Sequence, residues 1–357
     1  MRSFFIAAFT SAALFSNGLP AQADSGYPAV NAGIADAARR DHAPGLQFAV
    51  ERAGRVVDLD AVGYADVGAN TKVTADNIFA LADCSKPFTA MAIMQLVDAR
   101  KLALSTPAFP YLGLRPAHDP EISAITIRQL LNHSSGLPRT ITDESAFTLS
   151  VARKAAAVNH LLFRPGTHVA YSDAGYDVLG AVIAKASGQD YQDYVIAHIF
   201  TPAGAADDVG YLGNMDLPHM ALGYAHGQVV ENMRRGSSTP SGGWAMSASD
   251  AVRILAAYDA GKIVSPAARR AMLTPQNVAL GKNAMGGYYG LGWDLVALQN
   301  GGYFYAKNGD MPGFGAWLEH RADGTVFVVL RNNASGTSTH PSGLAAVEAA
   351  FDRVRRT

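Results

Sequence analysis

Asp83 and Lys86 stand three residues apart in the stretch Asn77-Ile78-Phe79-Ala80-Leu81-Ala82-Asp83-Cys84-Ser85-Lys86-Pro87-Phe88-Thr89-Ala90. On a helix that opens here, the spacing puts a carboxylate and an amine on one face, close enough to pair. The exposed N–H groups of a helix N-terminus favour an aspartate, so the pair is compatible with the fold. A lysine held charged in this way is a poor base. Two nucleophilic side chains lie between them. Ser85 adjoins Lys86, and neighbouring helical residues point about 100° apart, which places it badly for activation. Cys84, the only cysteine in the chain, faces away from Lys86 and reads as a buried small hydrophobe. Tyr64 is an alternative base that no surrounding motif supports. The ten histidines and the carboxylates show no compact metal-ligand spacing, so no metal or other cofactor is expected.

The elements that must position these residues are strands at both ends and helices between them. Residues 46–50 and 56–62 read as two strands around the turn Arg52-Ala53-Gly54-Arg55, preceded by a helical stretch at 30–40. Residues 303–307, 315–319 and 325–330 read as three more strands, the last two joined by Arg321-Ala322-Asp323-Gly324. Residues 343–356 have helical spacing, with Leu344, Val347, Phe351 and Val354 on one face. In the middle, 87–101 and 177–185 read as helices, the second of them buried. This order suggests a mixed α/β (α+β) fold: one antiparallel sheet built from both chain ends, covered by helices, with a helical lobe inserted. The sheet lobe is placed at approximately 24–80 and 285–357, and the helical lobe at approximately 81–284.

Arg2, the apolar run at 4–15 and the small-x-small site Ala21-Gln22-Ala23 read as an export signal over 1–23, leaving a mature chain from Asp24. Ser11, Ser16, Asn17 and Pro20 interrupt the run before the roughly 18–20 apolar residues that a membrane anchor needs. A periplasmic or secreted protein without a membrane span in its mature chain is therefore expected. At 49% hydrophobic and 17% charged residues the chain can bury a large core, which argues against disorder. A formal charge of −1 gives no long-range pull toward nucleic acid or anionic lipid, so partners must be recognised at a local site. A lone thiol cannot close an internal disulfide, so packing alone holds the fold.

The stretch around Asp83 is similar, without a gap, to the segment that carries the Ser-x-x-Lys motif of the serine β-lactamases and penicillin-binding proteins, with Lys86 matching the lysine and Asp83 in the place of the serine. Further segments follow in that family's order. Leu130-Leu131-Asn132-His133-Ser134-Ser135-Gly136-Leu137 resembles its Leu-Leu-x-His-Thr-Ser-Gly-Leu stretch, and Phe163-Arg164-Pro165-Gly166-Thr167 precedes Tyr171-Ser172-Asp173, which resembles the Tyr-x-Asn element. The segment from Gly242-Gly243-Trp244 to Asp250, and Tyr289-Gly290-Leu291-Gly292-Trp293, resemble segments of the class C and esterase-like branch. Lys307-Asn308-Gly309 resembles the Lys-Thr-Gly or His-x-Gly element of the strand beside the active site. The resemblance spans roughly residues 30 to 355 and rests on several ordered motifs.

The resemblance implies the β-lactamase/DD-peptidase-like fold and assigns roles. In active members a serine made nucleophilic by lysine and tyrosine attacks a carbonyl, and the strand lysine attracts the carboxylate of the substrate. Carried over, Lys86 and Tyr171 would share the proton traffic, Asp173 would stand for the asparagine, Lys307 would supply positive charge, and Asn308 and Gly309 would shape the strand edge along which a ligand lies. His133 is expected to brace a loop. Asp83 cannot form the stable acyl ester of the serine mechanism. Three readings stay open: hydrolysis with Asp83 as a general base on water, Tyr171 or Lys86 serving the leaving group; a non-catalytic cleft that binds peptidoglycan-like peptides or other small acyl ligands; or a substituted site in an otherwise active hydrolase of β-lactams, D-amino-acid peptides or esters.

Overall fold

Residues 46–50 and 326–330 are near-continuous apolar runs, so apolar side chains reach both faces of each strand, which is the pattern of a sheet covered on two sides. A computed structural model of the protein describes residues 21–22, 28–40, 42–116, 118–141, 148–206, 209–212, 217, 219–230, 240–283, 286–298 and 302–333. The expected helix over 343–356, and the expected export segment apart from 21–22, lie outside these residues.

Strands β1 (Ala21–Gln22), β2 (Gly45–Arg52) and β3 (Arg55–Asp66) come from one end of the chain, and β4 (Thr71–Lys72) pairs with β3. Short strands β5 (Phe79–Ala80), β6 (Gly210–Tyr211), β7 (Tyr224–Ala225), β8 (Gln228–Val229) and β9 (Trp244–Met246) lie in the middle. Strands β10 (Tyr288–Tyr289), β11 (Asp294–Ala297), β12 (Tyr303–Met311), β13 (Phe314–His320) and β14 (Thr325–Arg331) follow. The main sheet runs β1-β3-β2-β14-β13-β12-β11-β10, every pair antiparallel. The two ends meet where β14 pairs with β2, Val328 opposite Ala49.

The helices are α1 (Pro28–Arg40), α2 (Lys86–Asp98), α3 (Ala108–Leu112), α4 (Ile127–Leu131), α5 (Thr148–Ala156), α6 (Asp173–Ser187), α7 (Tyr191–Val195), α8 (Thr201–Ala203), α9 (Ala248–Asp259) and α10 (Pro266–Met272). One face of the sheet, with Phe48, Val50, Trp317, Phe327 and Val329, packs on Ile34, Ala37 and Ala38 of α1. The other face, with Ala49, Leu318, Val326, Val328 and Leu330, joins the main core built with α2, α6 and α9. Helix α2 carries Ala90, Met91, Ala92, Ile93 and Met94, all buried, so it is apolar on every side and runs through the centre of that core.

Two departures from the sequence reading matter for the site. Helix α9 falls within the segment assigned to the inserted lobe, yet it packs on β2, β3 and β14. Strands β5, β9 and β6 form a separate small sheet, with Phe79 opposite Met246 and Ala80 opposite Ala245. Strands of two or three residues show no readable alternation, so nothing in the sequence announced this sheet.

Candidate active site

The small sheet ends at a tight turn. Leu81 N–H donates to the Trp244 carbonyl (2.9 Å), and Ala82 adopts φ +46, an uncommon conformation for a residue with a side chain. A single 3₁₀ turn over Ala82–Ser85 then feeds α2, whose first residue is Lys86. Strand β12 presses on this turn. Its residues up to Ala306 pair with β11, whereas Lys307 to Met311 pair only with β13. A side chain at Gly309 would strike the Leu81 carbonyl oxygen and crowd the backbone nitrogens of Asp83 and Cys84. Gly309 thus acts by letting two backbones meet, and Asn308 lies beside it on the strand.

Lys86 is fully buried, and its ammonium is saturated. Nζ donates to Asp83 Oδ1 (2.6 Å), Asp173 Oδ1 (2.6 Å) and the Ser241 carbonyl (3.0 Å), which uses all three N–H groups. Burial alone would lower its pKa, but Asp83 and then Asp173 outweigh it and hold the ammonium above the ordinary lysine range. Burial likewise raises the Asp83 carboxyl, yet Lys86 and Lys307 prevail and leave it below the usual carboxylate range. Both members of the pair are therefore charged at neutral pH.

Asp173 opens α6. Its N–H and that of Ala174 donate to the Arg139 carbonyl (2.8 and 3.1 Å), and Ser172 caps the helix by accepting from Gly175 N–H (3.1 Å). Arg139 Nε lies 3.7 Å from Asp173 Oδ2 at the exposed rim. His133 is buried, accepts from Ser172 N–H through Nδ1 (3.1 Å) and stacks on Tyr171 at 4.4 Å, which gives it the expected bracing role. Burial, then Lys307 and Lys86, push its pKa well down, so it is neutral.

Tyr171 sits between the two lysines, with Lys86 Nζ 4.8 Å and Lys307 Nζ 4.9 Å from its ring centroid. Its Oη is buried beside the Asp83 carboxylate, which acts on it both as a charge and as a hydrogen-bond acceptor. Burial, followed by Asp83, Asp173 and Asp294, pushes the phenol well up, so it stays protonated and is no phenolate base.

Lys307 differs most from expectation. Rather than facing the cleft as a cation for a ligand carboxylate, it is buried and paired with Asp294 Oδ2 at 2.8 Å, their side chains 3% and 6% exposed. Asp294 on β11, opposite Ala306, follows directly on the Tyr289-to-Trp293 segment and was not singled out in the sequence. The structure thus brings Asp83, Lys86, Tyr171, Asp173 and Lys307 into one cluster. Tyr64, on β3, stands elsewhere, under the Lys72 ammonium of β4. Ser85 is buried and accepts from Trp244 N–H (3.1 Å), and the buried Cys84 thiol points at the Lys307 carbonyl (3.1 Å). Among the described residues no cluster of potential metal ligands occurs.

Two further residues support the site. Thr89 Oγ1 donates to the Pro240 carbonyl (2.7 Å), and Ser241 N–H donates to Asp177 Oδ1 (3.2 Å), so both hold the segment whose carbonyl receives Lys86. Burial raises the Asp177 carboxyl, opposed by its hydrogen bond from Ser241 and the charge of Lys86, and its pKa ends at about 7. A carboxyl raised in the folded state contributes stability that is complete below its unfolded pKa and is lost as pH rises through the folded value. Asp177→Asn is expected to flatten the decline in stability between about pH 4 and 7 by up to about 4 kcal/mol. Urea unfolding of parent and variant across that range checks this, and an unchanged slope would contradict it.

Comparison with known proteins agrees with this architecture. The beta-lactamase family profile matches residues 30–350. "Putative penicillin-binding protein PbpX" of Bacillus subtilis (strain 168) is 29% identical over 294 residues, covering 80% of this chain and 69% of that protein. "Protein flp" of Staphylococcus aureus (strain MW2) is 29% identical over 192 residues, covering 52% of this chain but only 39% of that protein. Among solved structures, D-amino acid amidase from Ochrobactrum anthropi SV3, complexed with L-phenylalanine, aligns with a TM-score of 0.79 at 23% identity, over 92% of this chain and 98% of that one. Among the described residues no helix is long and apolar enough to cross a membrane. With the profile covering most of the sequence and the expected antiparallel sheet and helical cover in place, the chain belongs to the beta-lactamase family.

Proposed function

We propose that this chain is an exported protein whose cleft binds small acyl ligands, amides, esters or peptidoglycan-type peptides, and that Asp83 disables the serine acylation cycle. The observation that carries the reading is the saturation of Lys86: an ammonium with all three donors engaged, two of them on carboxylates at 2.6 Å, has no lone pair to offer as a base. A carboxylate attacking an amide would also form an anhydride through a weak nucleophile. The alternative with Asp83 as general base on water is disfavoured because Lys86 and Lys307 stabilise its charged form and make it a weaker base.

Protein recovered from the exported fraction is expected to begin at or near Asp24 on N-terminal sequencing and to take no covalent label from a fluorescent penicillin. A start at Met1 would refute export. Stable label mapped to residues 84–86 would refute the loss of acylation and make Ser85 or Cys84 the nucleophile.

A further inference from the structure

The third partner of Lys86 is a backbone carbonyl, and two helices hold the segment that supplies it. Thr89 lies one turn after Lys86 on α2, and its Oγ1 donates to the Pro240 carbonyl (2.7 Å). With that proton spent, the Tyr191 hydroxyl of α7 is the donor in its 2.7 Å bond with Thr89 Oγ1, and it accepts in turn from Trp244 Nε1 (2.9 Å). On the opposite side, a side chain at Gly180 of α6 would strike the Pro240 ring, so this glycine lets the segment lie against that helix. On the same helix Asp177 Oδ1 accepts from Ser241 N–H (3.2 Å), while the Ser241 carbonyl accepts from Lys86 Nζ (3.0 Å). Both bonds flank a single α-carbon, so holding the N–H also aims the carbonyl. One face of α6 thus grips Lys86 twice: directly through Asp173 and, a turn later, through Asp177 and Ser241.

We propose that Asp177 is a positioning residue for Lys86: ionised, it fixes Ser241 and adds a third carboxylate charge near the ammonium, and protonated it slackens that hold, so the grip on Lys86 follows the pH. A bond to an ionised acceptor is stronger than one to a neutral acceptor, which gives the two states different strengths. The charged and titratable groups that act on Asp177 or respond to it are Lys86 of α2, Asp173 of its own helix, Tyr191 of α7 and Tyr211 of β6. Burial pushes both phenols up, so they stay protonated and the carboxyl is the group that changes charge. This role requires no ligand, and its failure would leave the reading of the site as one for acyl ligands standing.

NMR titration of the unaltered mature chain between about pH 5 and 9 tests the assignment. The Asp177 Cγ resonance is expected to titrate at about 7, and the Ser241 amide and Lys86 Cε resonances should shift with the same midpoint. In Asp177→Asn both of these shifts should be lost. Asp177→Ala removes the acceptor as well as the charge, so at a fixed pH its Ser241 amide should exchange at least about tenfold faster than in Asp177→Asn, measured relative to the core amides of α2. Ser241 and Lys86 resonances that stay flat in the parent, or that still titrate in Asp177→Asn, would overturn the assignment, as would equal Ser241 exchange in the two variants. A merely structural role would speed the α2 amides together with Ser241, and that result counts against positioning too. Should a variant fail to fold, the titration of the unaltered protein still decides.

Discussion

Asp83→Ser is expected to raise the hydrolysis of a small ester by at least about tenfold, and Asp83→Ser with Asp173→Asn by about a hundredfold, toward the lower end of what a positioned base supplies. The order follows from how Lys86 is held. Removing Asp83 takes away one carboxylate at 2.6 Å and puts a hydroxyl one turn from the amine, but Asp173, also at 2.6 Å, still keeps the ammonium charged. Only the second change leaves Lys86 with no carboxylate directly on its ammonium, where burial and the nearby Lys307 charge push its pKa down toward a working base. Lys86→Ala in the doubly substituted background should return the rate to that of the parent. Initial rates with an activated ester such as p-nitrophenyl acetate measure all four proteins. Equal rates throughout would mean that the turn at 82–85 is not the place where acyl ligands react.

Parts of this site were legible for local reasons. Asp83 and Lys86 are three residues apart, and a spacing that short survives almost any tertiary arrangement. The hairpin of β2 and β3 was legible because apolar alternation and a Gly-containing turn are both local signals. Tyr171, Asp173 and Lys307 came from the order of motifs rather than from any property of their own, and motif order speaks to position but not to burial. That is why Lys307 was read as a charge offered to a ligand. Its confinement depends on the β11–β12 register, which sets Asp294 opposite Ala306 and next to Lys307, and that register is fixed by tertiary pairing. Asp177 did leave a trace, as a charge opening a stretch read as a buried helix, four residues and one turn after Asp173. Ser241 left none, since it contributes a carbonyl that every residue has.

Breaking the Lys307–Asp294 pair tests that confinement directly. Lys307→Met is expected to cost about 3–5 kcal/mol of stability, because it strands a buried carboxylate whose other side-chain partner among the described residues is Asn283 Nδ2 at 3.0 Å. Asp294→Leu should cost a comparable amount by stranding the buried ammonium next to Lys86 and under Tyr171, where burial again disfavours the charge. The double variant, Lys307→Met with Asp294→Leu, removes both charges and should recover most of the loss, since apolar residues of similar volume often replace a buried pair with little net change. A double-mutant cycle by urea unfolding reads the coupling. If instead Lys307 served as an exposed cation for a ligand, its removal would change stability by no more than about 0.5 kcal/mol, and the two substitutions would be additive. The same variants bear on Asp83. Lys307 is one of the two cations holding its carboxyl below the usual range, so Lys307→Met should raise the Asp83 pKa, measurable by NMR titration, while the Lys86 pair stays in place.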